Sequence, residues 1–93
     1  MRLSVSQRAA IKREVAARDR DAKVYLFGSR VDDNAKGGDI DLLVLSKRMD
    51  RRQARTLKLR LYDHRGEQKI DLVCATDLSR PFTRMAVKRG ELL

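Results

Sequence analysis

Two kinds of hydrophobic pattern alternate along the chain. Short segments that are mostly apolar and rich in β-forming residues predict three strands, at residues 23–27, 39–45 and 68–75. Longer segments whose apolar residues recur every three or four positions predict three helices, at residues 4–18, about 50–65 and about 79–90. The pattern predicts an α+β fold in which a small mixed β-sheet is packed with helices on one side.

The first predicted helix has a start signal and a narrow apolar stripe. Ser4 followed by Gln7 matches a capping box, in which each side chain bonds the backbone of the other residue. Ile11 and Val15 lie one turn apart and predict the buried face. The remaining surface is charged, and we interpret it as solvated, with a contact to a partner or to RNA as the alternative.

The second predicted helix is ambiguous, because Leu57, Leu59 and Leu61 alternate as they would in a strand. Arg, Lys, Gln and Leu dominate the segment and β-branched residues are rare, which favours a helix. Ala54, Leu57 and Leu61 also satisfy helical spacing, and Asp50 is a suitable N-cap.

A helix at this place leaves Leu59 and Tyr62 outside the buried stripe, beside Arg52 and Arg55. This pair has two open interpretations, a patch that binds a partner or ordinary exposed apolar residues. The third helix starts near Ser79 and Pro81. Its predicted core residues are Phe82, Met85 and Ala86.

Composition narrows the class of protein. The 93 residues are enough for one domain, 1–93, with a modest core. A net charge of +9 favours phosphate-bearing or acidic partners. The single cysteine, Cys74, cannot form an internal disulfide and is expected to be a buried small hydrophobe. Neither an apolar run of about 20 residues nor a signal peptide is evident, so a cytoplasmic protein without a membrane anchor is expected.

Three acidic residues lie in otherwise apolar strands. Asp39 and Asp41 point to one side of the second strand, because side chains alternate along a strand, and Asp71 lies alone in the third. Neighbouring carboxylates near a buried strand repel each other unless a cation neutralises them. Mg²⁺ prefers such oxygen ligands together with substrate phosphates, so the acids predict a two-metal site. The alternative is a structural set of acids balanced by Arg or Lys.

The loop before the second strand has the composition of a phosphate site. Gly28 lets backbone N–H groups approach an anion closely, and Ser29 adds a hydroxyl donor. Arg30 has two open interpretations, a contact to a triphosphate or an ion pair with a loop acid such as Asp32 or Asp33. We therefore predict that residues 28–30 bind phosphate.

Gly28-Ser29, then Asp39-x-Asp41, then a lone Asp71 resembles the nucleotidyltransferase superfamily that includes DNA polymerase β and kanamycin nucleotidyltransferase. The segment Leu-Phe-Gly-Ser-Arg followed by Gly-Asp-Ile-Asp-Leu-Leu-Val is most similar to its minimal nucleotidyltransferases, many of which are antitoxins paired with HEPN-domain toxins. The resemblance covers residues 22–75 closely. It departs at Gly38, where these minimal proteins commonly have Ser.

The resemblance implies the polymerase β palm-like fold and a role for each site residue. Asp39 and Asp41 would hold two Mg²⁺ ions, or Mn²⁺, and Asp71 would hold the ion beside the acceptor and take the acceptor's proton. Gly28, Ser29 and Arg30 would bind the nucleotide phosphates. The implied reaction moves a nucleoside monophosphate, with ATP as the expected donor, to a hydroxyl group such as a tyrosine of a HEPN-type toxin.

Two other functions stay open. A catalytically idle module would neutralise a HEPN-type partner by complex formation alone, in a homo- or hetero-oligomer. An RNA-binding role for the basic helix is less favoured, because the basic segments lack the interleaved aromatic residues on which bases stack.

Overall fold

A computed structural model of the chain describes residues 4–27, 40–61 and 70–93 in full, and only the backbone at 62–65. Its elements are α1 (Val5–Arg18), β1 (Lys23–Phe27), β2 (Ile40–Leu45), α2 (Arg51–Arg65), β3 (Ile70–Ala75), α3 (Pro81–Arg89) and β4 (Glu91–Leu92). The three predicted strands and three predicted helices are confirmed within the described residues. The short strand β4 was not predicted.

The sheet is mixed and has the strand order β3-β2-β1-β4. β1 pairs antiparallel with β2 and with β4, whereas β2 and β3 run parallel. A parallel pair needs a crossover connection, and α2 lies in the chain between these two strands. The fold is the small α+β fold with a mixed sheet that the sequence predicts.

Helices cover both faces of the sheet, so the prediction of helices on one side is wrong. On the first face, α1 and α2 pack Ile11, Val15, Leu57 and Leu61 against Val24, Leu26, Ile40, Leu42, Val44 and Ile70. On the second face, Ala86 of α3 packs against Tyr25 and Leu43. Strands that carry apolar residues on both sides need cover on both, and Tyr25, Phe27, Leu43 and Leu45 are apolar residues on the second face of β1 and β2.

The contact stripe of α3 differs from the predicted one. Thr83 and Ala86 are buried, whereas Phe82 and Met85 are 43% and 41% exposed. The predicted stripe was therefore wrong for Phe82 and Met85. α3 contacts β1 and β2 along the side that holds Ala86, which leaves Phe82 and Met85 partly exposed.

Local hydrogen bonds explain where α1 and α2 begin. The Ser4 hydroxyl accepts the N–H of Gln7, and the Gln7 side chain accepts the N–H of Ser4, which confirms the capping box. Asp50 and Gln53 make the same reciprocal pair at the start of α2.

The burial along α2 settles its ambiguity in favour of a helix. Leu57 and Leu61 are fully buried, one turn apart, whereas Leu59 between them is 63% exposed. Leu59 therefore lies outside the buried stripe, as predicted. Among the described parts of the chain, no helix is long and apolar enough to cross a membrane.

Candidate active site

Two of the three predicted acids lie side by side on the second face of the sheet. Asp41 on β2 and Asp71 on β3 are Cα partners in the parallel register, close to the start of both strands. Side chains alternate across a strand, so both carboxylates share the second face with Leu43 and Val73 rather than the apolar first face. Both residues are partly buried and remain accessible to a ligand.

The other predicted site residues lie outside the described part of the chain. These are Gly28, Ser29, Arg30 and Asp39. The strand ends to which their segment connects are described, however. β1 ends at Phe27, which pairs with Asp41 across the β1–β2 register, and β2 begins at Ile40. The segment 28–39 therefore joins the sheet at the end where Asp41 and Asp71 lie.

The acid pair has the chemistry of a divalent-cation site. Two carboxylates on adjacent strands repel each other, and a hard cation with oxygen ligands offsets that repulsion. Within the described ranges 4–27, 40–61 and 70–93, no group of three or more potential metal ligands comes together. The described acids therefore supply at most two ligands, and the predicted third, Asp39, belongs to the adjoining segment.

An aromatic pair lies next to the acids. The rings of Phe27 and Phe82 meet edge to face, with centroids 5.5 Å apart and planes at 80°. Phe27 is also the cross-strand neighbour of Asp41. The helical pattern placed Phe82 in the predicted core, so its position beside the acids was not predicted. The available signal was the alternation of β1, which places Phe27 on the same face as Tyr25.

A groove of about 590 Å³ lies along the second half of β3 and beside the start of α3, and Phe82 of the aromatic pair lines it. Val73, which is 37% exposed, and Phe82 form apolar parts of its wall. Asp77 and Arg80 lie at the end of the groove near the carboxyl end of β3. Val73, two residues after Asp71 on the same strand, is the first lining residue of this groove in chain order.

A somewhat larger cavity, about 670 Å³, lies at the opposite end of the sheet and does not include the acid pair. Its buried carboxylate, Asp19, accepts hydrogen bonds from the Ser46 hydroxyl and the Asp21 N–H, 2.5 and 3.0 Å long. The Ser46 hydrogen bond, then the Asp21 N–H and the charge of Arg48, hold the pKa of Asp19 below its ordinary value of 3.8. The carboxylate is thus occupied by contacts that join α1 to the end of β2, which makes its role structural.

Cys74 packs against the core of the first face, and its thiol lies 4.0 Å from the Met49 sulfur. Burial raises the pKa of this thiol above its ordinary value of 9.0. A thiol of this kind is a poor nucleophile, so Cys74 serves packing. It is partly buried rather than fully buried.

A protein-family model described as Polymerase beta, Nucleotidyltransferase matches residues 10–93. The match runs from α1 through β4 and includes the strands that carry Asp41 and Asp71. The chain belongs to this polymerase beta nucleotidyltransferase family. A comparison with curated proteins finds no match. Family membership and the fold together support a function of the nucleotidyltransferase type.

Proposed function

We propose that the protein is a metal-dependent nucleotidyltransferase that moves AMP from ATP to a hydroxyl group of a partner toxin of the HEPN type and thereby acts as an antitoxin in the cytoplasm. The observation that carries the proposal is the alignment of Asp41 with Asp71 on adjacent parallel strands. Membership of the polymerase beta nucleotidyltransferase family supports the reaction class. The proposed role as a minimal antitoxin that acts on a HEPN-type toxin rests on the sequence resemblance.

The carboxylates fit the metal ions that such a reaction uses. Asp39, Asp41 and Asp71 would hold two Mg²⁺ ions, or Mn²⁺, through oxygen ligands, and both described acids are partly exposed. Two such ions, when bound, offset the negative charge of the phosphates during in-line displacement. Gly28, Ser29 and Arg30 would bind the β- and γ-phosphates and hold the α-phosphate toward the acceptor.

The proposed transfer exchanges one bond to the α-phosphorus for another. The acceptor oxygen forms a bond to the α-phosphorus, and the bond between that phosphorus and the pyrophosphate oxygen breaks. The hydroxyl proton passes to the carboxylate of Asp71, which lies on the strand at the edge of the sheet, where an acceptor can approach. Pyrophosphate leaves from the side of residues 28–30.

The test is transfer of label from α-labelled ATP with Mg²⁺, with and without the protein encoded by the neighbouring gene. We expect Asp41→Asn and Asp71→Asn each to lower transfer by at least about 10²-fold, because each removes a charged ligand from the reacting centre. Asp21→Asn is the matched control, since it makes the same change at an exposed acid at the opposite end of the sheet. Its transfer should stay within about twofold of wild type.

Two results would contradict the proposed function. If none of the four nucleoside triphosphates gives label transfer, and the Asp41→Asn and Asp71→Asn variants still form a tight complex with the partner, the protein is a binding module without catalysis. Equal loss of transfer in Asp21→Asn would reject the assigned site.

A further inference from the structure

The outer edge of β3 pairs with no other strand in the part of the chain that the structure describes. β3 is the first strand in the sheet order, and only β2 lies beside it. Unpaired edges are commonly blunted by charges, prolines or very short strands. β3 has six residues, Ile-Asp-Leu-Val-Cys-Ala, with one charge and no proline.

The direction of the backbone groups along β3 follows from one hydrogen bond. The Ser46 N–H donates to the carbonyl of Ala75 over 2.9 Å, so the backbone groups of Ala75 point to β2. Backbone groups alternate sides along a strand, so those of Asp71 and Val73 also point to β2. The N–H and C=O groups of Leu72 and Cys74 therefore point outward, where another chain can pair with them.

The second face of β3 is also open. α3 packs on β1 and β2, which leaves Val73 37% exposed and Phe82 of α3 43% exposed. These two side chains line the groove of about 590 Å³, which residues 74–77 also line. An unpaired edge and a groove with a partly apolar wall thus adjoin each other, beginning two residues after Asp71.

We propose that the outer edge of β3 and the adjoining groove bind an extended acidic segment of the acceptor protein as a fifth strand. The proposal rests on the proposed function and adds how the acceptor is held. A strand paired with β3 places one of its side chains on the second face beside Asp71, at the roughly 5 Å separation of cross-strand neighbours. A serine, threonine or tyrosine at that position of the bound strand would bring its hydroxyl group to the Asp71 carboxylate, the proposed proton acceptor.

The spacing of β3 also predicts the acceptor sequence. Side chains on one face recur every second residue, so the position two residues from the hydroxyl lies beside Val73 and should be apolar. The position two residues further lies beside Ala75, toward Arg80 and Asp77 in the same groove, and the net charge of +9 favours an acidic residue there. The expected segment therefore carries hydroxyl, apolar and acidic residues at alternate positions.

Charge and backbone chemistry favour this occupant over two others. A net charge of +9 attracts an acidic segment and repels a second copy of this chain. Alternating donors and acceptors along the edge match a peptide backbone, whereas the phosphates of RNA offer only acceptors.

The test uses two synthetic acidic peptides that carry Tyr, Val and Glu at alternate positions, one the reverse of the other, because a strand can pair in either direction. Amide hydrogen exchange is measured by NMR on the wild type and on Asp41→Asn. We expect the exchange of the Leu72 and Cys74 amides to slow at least tenfold at saturating peptide in both proteins. Methylation of the peptide amides that face β3 should weaken binding at least tenfold, and methylation of the alternate amides should change it less than threefold.

A matched pair of variants tests the groove. Val73→Ser should weaken peptide binding about tenfold, whereas Leu59→Ser, which changes another exposed apolar residue on α2, should leave it within twofold. Overturning results are exchange of Leu72 and Cys74 that does not slow, equal effects of the two methylated peptides, or equal loss in Leu59→Ser. The same protection from a single-stranded RNA, or from protein concentration alone, would also overturn it.

These readouts separate the two proposals. Slowed exchange at Leu72 and Cys74 without any label transfer would reject the transferase and keep the docking edge. Label transfer to a partner without slowed exchange would keep the transferase and reject the docking edge.

Discussion

Among single residues, Ser46 has more structural contacts than its small side chain suggests. Its hydroxyl donates to Asp19 and accepts the N–H of Met49 over 3.0 Å and that of Arg48 over 3.2 Å. Ser46 is only 4% exposed, and its backbone N–H bonds Ala75. One serine thus fixes the end of β2 against both β3 and the segment after α1.

The Asp19–Ser46 contact predicts a pH-dependent stability. Because the folded pKa of Asp19 lies below its ordinary 3.8, the contact stabilises the fold above that pH and is lost as the pH falls through the folded pKa. Ser46→Ala should raise the pKa of Asp19 toward 3.8. The difference in unfolding free energy between wild type and Ser46→Ala should be largest near neutral pH and narrow in acid.

NMR titration of the carboxyl carbons and urea unfolding at several pH values measure both effects. Ser79→Ala is the matched control, because the Ser79 contacts lower the pKa of Asp77 in the same way. It should shift Asp77 and leave Asp19 unchanged. An Asp19 pKa that stays low in Ser46→Ala would contradict the assignment.

Glu14 is the second buried acid with a structural role. Its carboxylate lies 3.2 Å from Arg18 and 3.4 Å from Arg60 of α2, and its side chain is only 7% exposed. Glu14→Ala should lower the unfolding free energy by about 3 kcal/mol, because it leaves the nearly buried Arg18 guanidinium without this partner. Arg60→Ala should cost less than about 1 kcal/mol, since that side chain is 58% exposed. Urea unfolding gives both values, and equal losses would contradict the argument.

At the scale of elements, hydrophobic pattern and capping residues predict most of the fold. Ser4, Asp50 and Pro81 mark helix starts that the structure has, because each signal acts on backbone groups within one turn. The buried face of α3 could not be predicted from its apolar residues, because polar Thr83 is buried beside Ala86 whereas apolar Phe82 and Met85 are partly exposed. β4 has two residues, too few for a periodic pattern.

The turn from α3 into β4 depends on a close approach of the backbone at Gly90. A Cβ at this position would lie 2.8 Å from the Leu26 carbonyl oxygen and would also collide with that of Ala86. Neither oxygen can move easily, because both belong to regular structure. Gly90→Ala should therefore lower the unfolding free energy by about 1–3 kcal/mol.

Gly90→Ala should weaken the pairing of the chain end with β1 in addition to lowering the overall unfolding free energy. Amide exchange of Leu93, whose N–H bonds the Val24 carbonyl over 2.9 Å, should accelerate more than that of the β2 amides. Ala86→Gly changes the same helix without adding a side chain and serves for comparison. Unchanged exchange at Leu93 in Gly90→Ala would contradict the predicted collision.

At the scale of the whole molecule, the face on which Asp41 lies was predictable from the alternation of side chains, whereas its pairing with Asp71 was not. The pattern placed Asp41 on the face opposite Ile40 and Leu42, and the structure agrees. The parallel alignment of Asp41 with Asp71 could not be deduced, because it depends on how α2 returns the chain to the sheet. Gly28, Ser29, Arg30 and Asp39 remain predictions.

The net charge of +9 predicts that salt stabilises the fold. Raising ionic strength from about 0.01 M to about 0.1 M shortens the Debye length from about 30 Å to about 10 Å. The radius of gyration is 12.3 Å, so repulsion across the molecule becomes largely screened. We expect Tm to rise by about 4 °C, the shift that about 1 kcal/mol produces at this size. Sodium and potassium chloride should act equally, and a falling Tm would contradict the prediction.

The parallel alignment of β2 and β3 has a consequence for folding fidelity. Because side chains alternate, a slip of β3 by one residue would turn Asp71 toward the first face, beside Ile40 and Leu42 of β2. A lone carboxylate there would lose its hydration, which makes the mispaired sheet far less stable than the native one. Asp71 therefore disfavours a slipped strand register in addition to its proposed role in the site. Its replacement by an apolar residue would remove this penalty on the mispaired sheet.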